Sequence, residues 1–239
     1  MNEQKIGVVF GGSMGIGEAT AKVLKEDGTR VTIVGRDKAR LAAAAARIGE
    51  IEIAVADALD ADAISRVFET TGPVDIVVIC VAGSKGIGLF RDLNLDGVRA
   101  AFEEKTLAQL RVAQVSARHM RANGSITFVS AGSARQAIRT AVGPAVVNGA
   151  IEAAIPTLAL ELAPIRVNAV SPGLIDTPLW DFMPAEARAG FFSNHGAKLP
   201  VGRIGQAAEV AAVIALVANS GFVTGSVYEI DGGSHLVTM

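Results

Sequence analysis

"KIGVVFGGSMGIG", Lys5 to Gly17, decides the fold. Lys5–Phe10 carries apolar residues without in–out alternation. A strand of that kind is buried on both faces, as in a parallel sheet covered by helices. The glycines that follow are spaced G-x-x-x-G-x-G, at Gly11, Gly15 and Gly17. Glycine lets the chain turn tightly and lets its backbone approach a pyrophosphate. The helix behind such a turn offers free N–H groups and a positive dipole end. No Gly-Lys-Ser/Thr follows, so a Walker-type loop is excluded. Taken alone, the motif also suits an ordinary strand–helix turn; its place after the first strand favours a nucleotide.

Outward from this turn, β-rich runs alternate with Ala-rich helical stretches. Further strands are predicted over Arg30–Val34, Ile51–Ala56, Val74–Ala82, Gly124–Ser130, Ile165–Val170 and Ser226–Ile230. The intervening helices include a long one over Asp96–Arg121, one ending near Ala163 and one over Ala207–Ala218. Pro156 removes a backbone donor and predicts a kink. The alternation implies an α/β fold: a Rossmann-like, doubly wound parallel sheet of about seven strands with helices on both faces. No linker or composition break divides residues 1–239, which read as a single domain. Within it, 177–204 reads as a substrate-loop insertion, whose Trp180, Phe182, Phe191 and Phe192 form an apolar lid or pack a subunit interface.

The 239 residues are 50% hydrophobic and 19% charged, with a net charge of −2. That suits a large core and gives no electrostatic case for nucleic acid or an anionic membrane. Val210–Ala218, the longest apolar run near the C-terminus, is too short to span a bilayer. Cys80 is the only cysteine and His119, His195 and His235 are scattered, so neither a disulfide nor a metal centre is expected. A cytoplasmic location is the simplest expectation.

Five segments in order resemble the short-chain dehydrogenase/reductase family. "GGSMGIG" (Gly11–Gly17, including Ser13, Met14 and Ile16) looks like its cofactor loop. "VAD" resembles the segment whose aspartate, here Asp57, contacts adenine. "CVAG" (Cys80–Gly83, including Ala82) occupies the place of an Asn-Asn-Ala-Gly motif. Leu158–Pro178 and Val223–Gly233 match the sixth-strand region and the C-terminal signature. The resemblance implies that Pro172, Gly173, Ile175 and Thr177 hold the nicotinamide end. It also implies a homo-oligomer, dimer or tetramer, built through the long helices and the last strand.

The second strand ends in Gly35-Arg36, where a carboxylate would favour NAD. A guanidinium grips a 2′-phosphate, so NADP(H) is favoured over NAD(H). Asp37 complicates this, because it is placed to reach a ribose hydroxyl. A surface arginine opening a helix is the plain alternative.

Enzymes of this family use a tyrosine for the proton and a lysine four residues later that lowers its pKa and holds the nicotinamide ribose. A serine polarises the carbonyl, and an asparagine in the long helix orders a relay water. By resemblance these positions fall on Pro144, Asn148, Ala131 and Lys105. Proline transfers no proton, and asparagine has no charge to depress a phenol. The only tyrosine, Tyr228, lies in the last strand. Candidate replacements are Ser130, Ser133, Asn148 and Lys105; Lys85, Arg135, Arg139 and His195 are others, each equally readable as an ordinary solvated side chain. Three readings follow. One is an NADP(H)-dependent oxidoreductase on a small carbonyl or alcohol with an unusual proton donor. Another is a catalytically inactive dinucleotide-binding regulator or subunit. The last is a non-redox lyase or isomerase.

Overall fold

The computed structural model describes residues 4–83 and 85–237. Seven strands form one sheet: β1 (Ile6–Phe10), β2 (Arg30–Gly35), β3 (Glu52–Val55), β4 (Val74–Ile79), β5 (Met120–Val129), β6 (Arg166–Pro172) and, after two short strands, β9 (Val227–Ile230). Their order is β3-β2-β1-β4-β5-β6-β9, and every neighbouring pair is parallel. The order reverses between β1 and β4, where open α/β sheets leave a crevice at the strand C-termini.

Helices cover both faces. Against one pack α1 (Gly15–Glu26), α2 (Lys38–Ile48) and α8 (Ala207–Asn219), burying Leu24, Leu41 and Ile214 against Val9, Ile33 and Val78. Against the other pack α3 (Ala61–Thr71), α5 (Ala108–Ser116) and α6 (Val142–Glu161), burying Phe68, Val112 and Ile151 against Phe10, Val77 and Phe128. The central strands are buried as their continuous apolar runs require. β3 departs from that expectation: Glu52, Ile53 and Val55 are exposed, because β3 is the sheet edge.

The predicted long helix is three pieces. α4 (Leu95–Ala101) starts on Asn94, whose side chain accepts from Asp96 N at 2.9 Å. A π-helical segment, Phe102–Leu107, leads into α5. The helix ends at Ser116 rather than Arg121, because Val74 N donates to His119 O at 3.0 Å and draws Met120 into the sheet. α6 stays one helix through Pro156, at the loss of the i+4 donor for Glu152 O.

Segment 177–204 is more regular than expected. The parallel pair β7 (Ile175–Asp176) and β8 (Gly205–Gln206) closes its base, and α7 (Ala185–Gly196) lies within it. By length and composition α6 is the one described helix apolar enough to cross a membrane. Val147, Ile151 and Ile155 spend that apolarity on the sheet, where they are almost wholly buried.

Candidate active site

The turn after β1 is shaped by close backbone approach. Gly11 has φ +75°, and a Cβ there would stand 2.7 Å from Cys80 O. A Cβ on Gly17 would meet Gly11 O at 2.2 Å. Gly15 faces Thr177, whose Cβ lies 3.3 Å from where a Gly15 side chain would begin. Met14, the residue before α1, is extended and gives no side-chain cap. The first N–H groups of α1 therefore face outward from a hollow that only glycine leaves open. That shape and donor set fit a pyrophosphate.

At the tip of β2, Asp37 is engaged elsewhere. Its carboxylate caps α2, accepting from Ala39 N at 2.9 Å and Arg40 N at 3.1 Å. Arg36 beside it is exposed and has no hydrogen-bond or ion-pair partner among the described residues. Ser13 Oγ lies 3.8 Å from where a Gly35 Cβ would stand, so it reaches the same tip. Asp57, exposed after β3, accepts from Leu59 N at 2.9 Å.

Lys105, on the π-helical segment, is only 8% exposed. Its Nζ donates to Asn148 Oδ1 at 2.7 Å and to Ser130 O at 3.2 Å. Asn148 Nδ2 donates to Pro144 O at 2.9 Å and Ser133 Oγ at 3.2 Å. The structure thus joins Lys105, Asn148 and Ser133 in one chain. Burial pulls the Lys105 ammonium down to about 8, against the attraction of Cys80 and Glu152. Burial likewise pushes the Cys80 thiol up to about 12, against the nearby Lys105. Gly83 adjoins this segment, 3.7 Å from Lys105 Cβ measured from its own would-be Cβ. The glycine turn and the buried amine are therefore neighbours across Cys80 and Gly83.

Around this chain lie groups already engaged. Ser130 is buried and donates to Glu152 Oε1 at 2.7 Å, so it is not the open hydroxyl the sequence suggested. Arg135 pairs with Glu152 at 2.7 Å and with Glu229, so its guanidinium is committed to carboxylates. Lys85 pairs with Glu104. Arg139 is exposed. His195 lies on α7 rather than in a loop, with Nδ1 2.9 Å from Phe191 O and its ring 4.1 Å from that of Phe191. Trp180 contacts Phe182, Phe191 and Phe192 in one aromatic cluster. Tyr228 packs with the α1/α8 layer, on the other face of the sheet from α6. The sequence reading missed Glu152, Glu229, Asp231 and His235 as a group. The last three place possible ligand atoms within 4.8 Å, but Arg135 holds Glu229, and Gln136 and Ser234 hold Asp231. Only a known register between α6 and β9 would have revealed them.

A family model described as enoyl-(acyl carrier protein) reductase matches residues 11–235. The short-chain dehydrogenase/reductase ATR9 of Stachybotrys chlorohalonatus is 33% identical, over 96% of each chain. The L-xylulose reductase of Homo sapiens is 31% identical, over 95% of this chain and 94% of its own. A small-chain dehydrogenase solved in complex with NADPH is 30% identical, with a TM-score of 0.85 over 98% of this chain and 100% of that one.

The chain belongs to the short-chain dehydrogenase/reductase family. Short-chain dehydrogenases/reductases are oxidoreductases that bind nicotinamide dinucleotides, and this one keeps a glycine hollow suited to that group. Of the replacement candidates Ser130, Ser133, Asn148 and Lys105, Lys105 Nζ and Ser133 Oγ keep a hydrogen without a recorded acceptor. Neither has a further partner among the described residues.

Proposed function

We propose that this chain is an NADP(H)-dependent oxidoreductase acting on a small carbonyl or alcohol substrate, with its proton supplied by a group other than tyrosine. The observation that carries the reading is the adjacency of the glycine hollow to the buried Lys105–Asn148–Ser133 chain. Gly11, Ser13, Met14, Gly15, Ile16 and Gly17 hold the pyrophosphate, Asp57, Ala82 and Gly83 the adenosine side, and Pro172, Gly173, Ile175 and Thr177 the nicotinamide end. Arg36 and Ser13 take the 2′-phosphate, because Asp37 caps α2 and leaves the guanidinium unopposed. The nicotinamide supplies a hydride; the protein orients it and excludes water. Ser133 Oγ has an uncommitted proton for the substrate oxygen, with Lys105 as a charged neighbour through Asn148. The aromatic cluster of 177–204 forms the apolar wall of the substrate site.

Fluorescence titration with NADPH and NADH, then nicotinamide absorbance with a panel of aldehydes, ketones and quinones, tests this reading. NADPH is expected to bind at least tenfold more tightly than NADH, and Arg36→Ala to erase the difference. Equal binding of the two nucleotides sinks the NADP preference. Tight binding without turnover on the whole panel would return the chain to the non-catalytic reading.

A further inference from the structure

Lys105 is a buried cation with an open valence. Its two recorded acceptors, Ser130 O and Asn148 Oδ1, are both neutral. Glu152 attracts it, yet the two Glu152 oxygens are held by Ser130 Oγ and Arg135 Nε at 2.7 Å each. The third N–H of Lys105 has no acceptor among the described residues. A buried ammonium in that state is unfavourable unless something completes its shell. Asn148 is fully oriented. Lysine only donates, so the amide oxygen faces Nζ and the amide nitrogen faces Pro144 O and Ser133 Oγ. The amine is carried by a π-helical segment, an arrangement that concentrates at functional sites.

The family's lysine position is Asn148 and its asparagine position is Lys105, and here the two side chains hydrogen-bond to each other. The geometry points to an exchange of roles: Lys105 supplies, from the π-helical segment, the cation that the family carries on α6, and its open N–H grips a hydroxyl of the nicotinamide ribose. Asn148 becomes the neutral spacer that aims it. This rests on the dinucleotide reading above. It gives the site a ribose grip without any change in the α6 backbone.

The charged surroundings set its pH range. Cys80 approaches from the end of β4 and remains a thiol below about 12. Glu152 approaches from α6, itself paired with Arg135. Glu103 and Glu104 share the segment, the latter paired with Lys85. On α4, Asp96 and Arg99 pair with each other, and α5 brings the exposed Arg111. None of these side chains hydrogen-bonds Lys105 directly; its recorded acceptors are Ser130 O and Asn148 Oδ1.

The test is NADPH affinity, read by fluorescence without any substrate. Variants are Lys105→Met, Lys105→Asn, Asn148→Lys and the double exchange Lys105→Asn/Asn148→Lys. Lys105→Met is expected to weaken binding about tenfold or more, the loss of a charged hydrogen bond. Asn148→Lys alone is expected to weaken it too, by setting two ammonium groups side by side. The double exchange restores the affinity to within about threefold, a coupling that independent sites do not show. Affinity of the unmodified protein declines above about pH 8, and that decline disappears in Lys105→Met. If Lys105→Met proves poorly folded by circular dichroism, the double exchange and the pH profile decide alone. Unchanged binding in Lys105→Met, or a double variant no better than the sum of the singles, overturns the exchange and leaves the dinucleotide reading standing. If the unmodified protein binds no NADPH, both fall.

Discussion

Lys105 shows what a single residue demands of its surroundings. Its ammonium is held near 8 instead of its ordinary 10.5, because burial disfavours charge. A lysine value lowered on folding means the unfolded chain binds the proton more tightly. The charged amine therefore costs stability below about pH 8, and the cost is relieved as pH rises from about 8 to 10.5. Cys80 acts with the opposite sign: burial lifts its thiol from 9.0 to about 12, so it erodes stability from about pH 9 upward, and the rise due to Lys105 is read cleanly only between about pH 8 and pH 9. Lys105→Met should abolish the rise. At pH 7 it should stabilise the fold by on the order of 1 kcal/mol, after allowing for the donor lost to Ser130 O and Asn148 Oδ1. Urea unfolding at pH 7 and about pH 9, below most of the Cys80 contribution, measures both effects; a variant clearly less stable at pH 7 contradicts this account. The sequence offered Lys105 and Asn148 separately as candidates, and the structure hydrogen-bonds them to each other. The burial of Lys105 was not legible in the sequence, since a lone lysine in a helical run reads as a solvated one.

Asp37 belongs to the scale of an element. Without it, α2 begins with unpaired N–H groups beside an open arginine. Asp37→Ala removes a cap and should cost about 1 kcal/mol of stability. NADPH affinity should stay within about twofold, because the carboxylate serves the helix and not a ribose. Chemical denaturation paired with fluorescence titration separates the two, and a large change in nucleotide affinity would place Asp37 in the binding site after all. Caps of this kind are visible in sequence only when the helix start is known to one residue. The strands were easier, because β1, β2 and β4 are continuous apolar runs. The long central helix was the hardest. Neither the π-helical segment nor the early entry of Met120 into the sheet has a local signal, since both follow from how β4 and β5 pair.

Across the whole molecule, apolar side chains remain uncovered on two faces. Leu107, Val146 and Leu160 are exposed on the π-helical segment and α6, and Leu216 and Phe222 on α8 and the loop that leads into β9. These are the regions through which the family resemblance implies dimers or tetramers, and their composition suits buried interfaces. Leu160→Asp should lower the mass found by light scattering, while leaving the circular dichroism spectrum intact. A monomer before and after the change would refute assembly through this face. The doubly wound parallel sheet needed no structure, because β–α alternation allows few alternatives; its strand order came from the structure. Which surfaces stay bare could not be read, since burial depends on how all the layers meet.

One row of side chains sets a rule for substitution. Lys105, Glu152, Arg135, Glu229, His235 and Asp231 follow one another with alternating sign when His235 is protonated. Reversing one interior sign leaves like charges facing on both sides, and reversing two interior neighbours keeps their own attraction but still leaves a clash at each outer junction. A single change along this row is therefore felt by both of its neighbours, and the tail of the chain is not independent of the helix that carries Asn148.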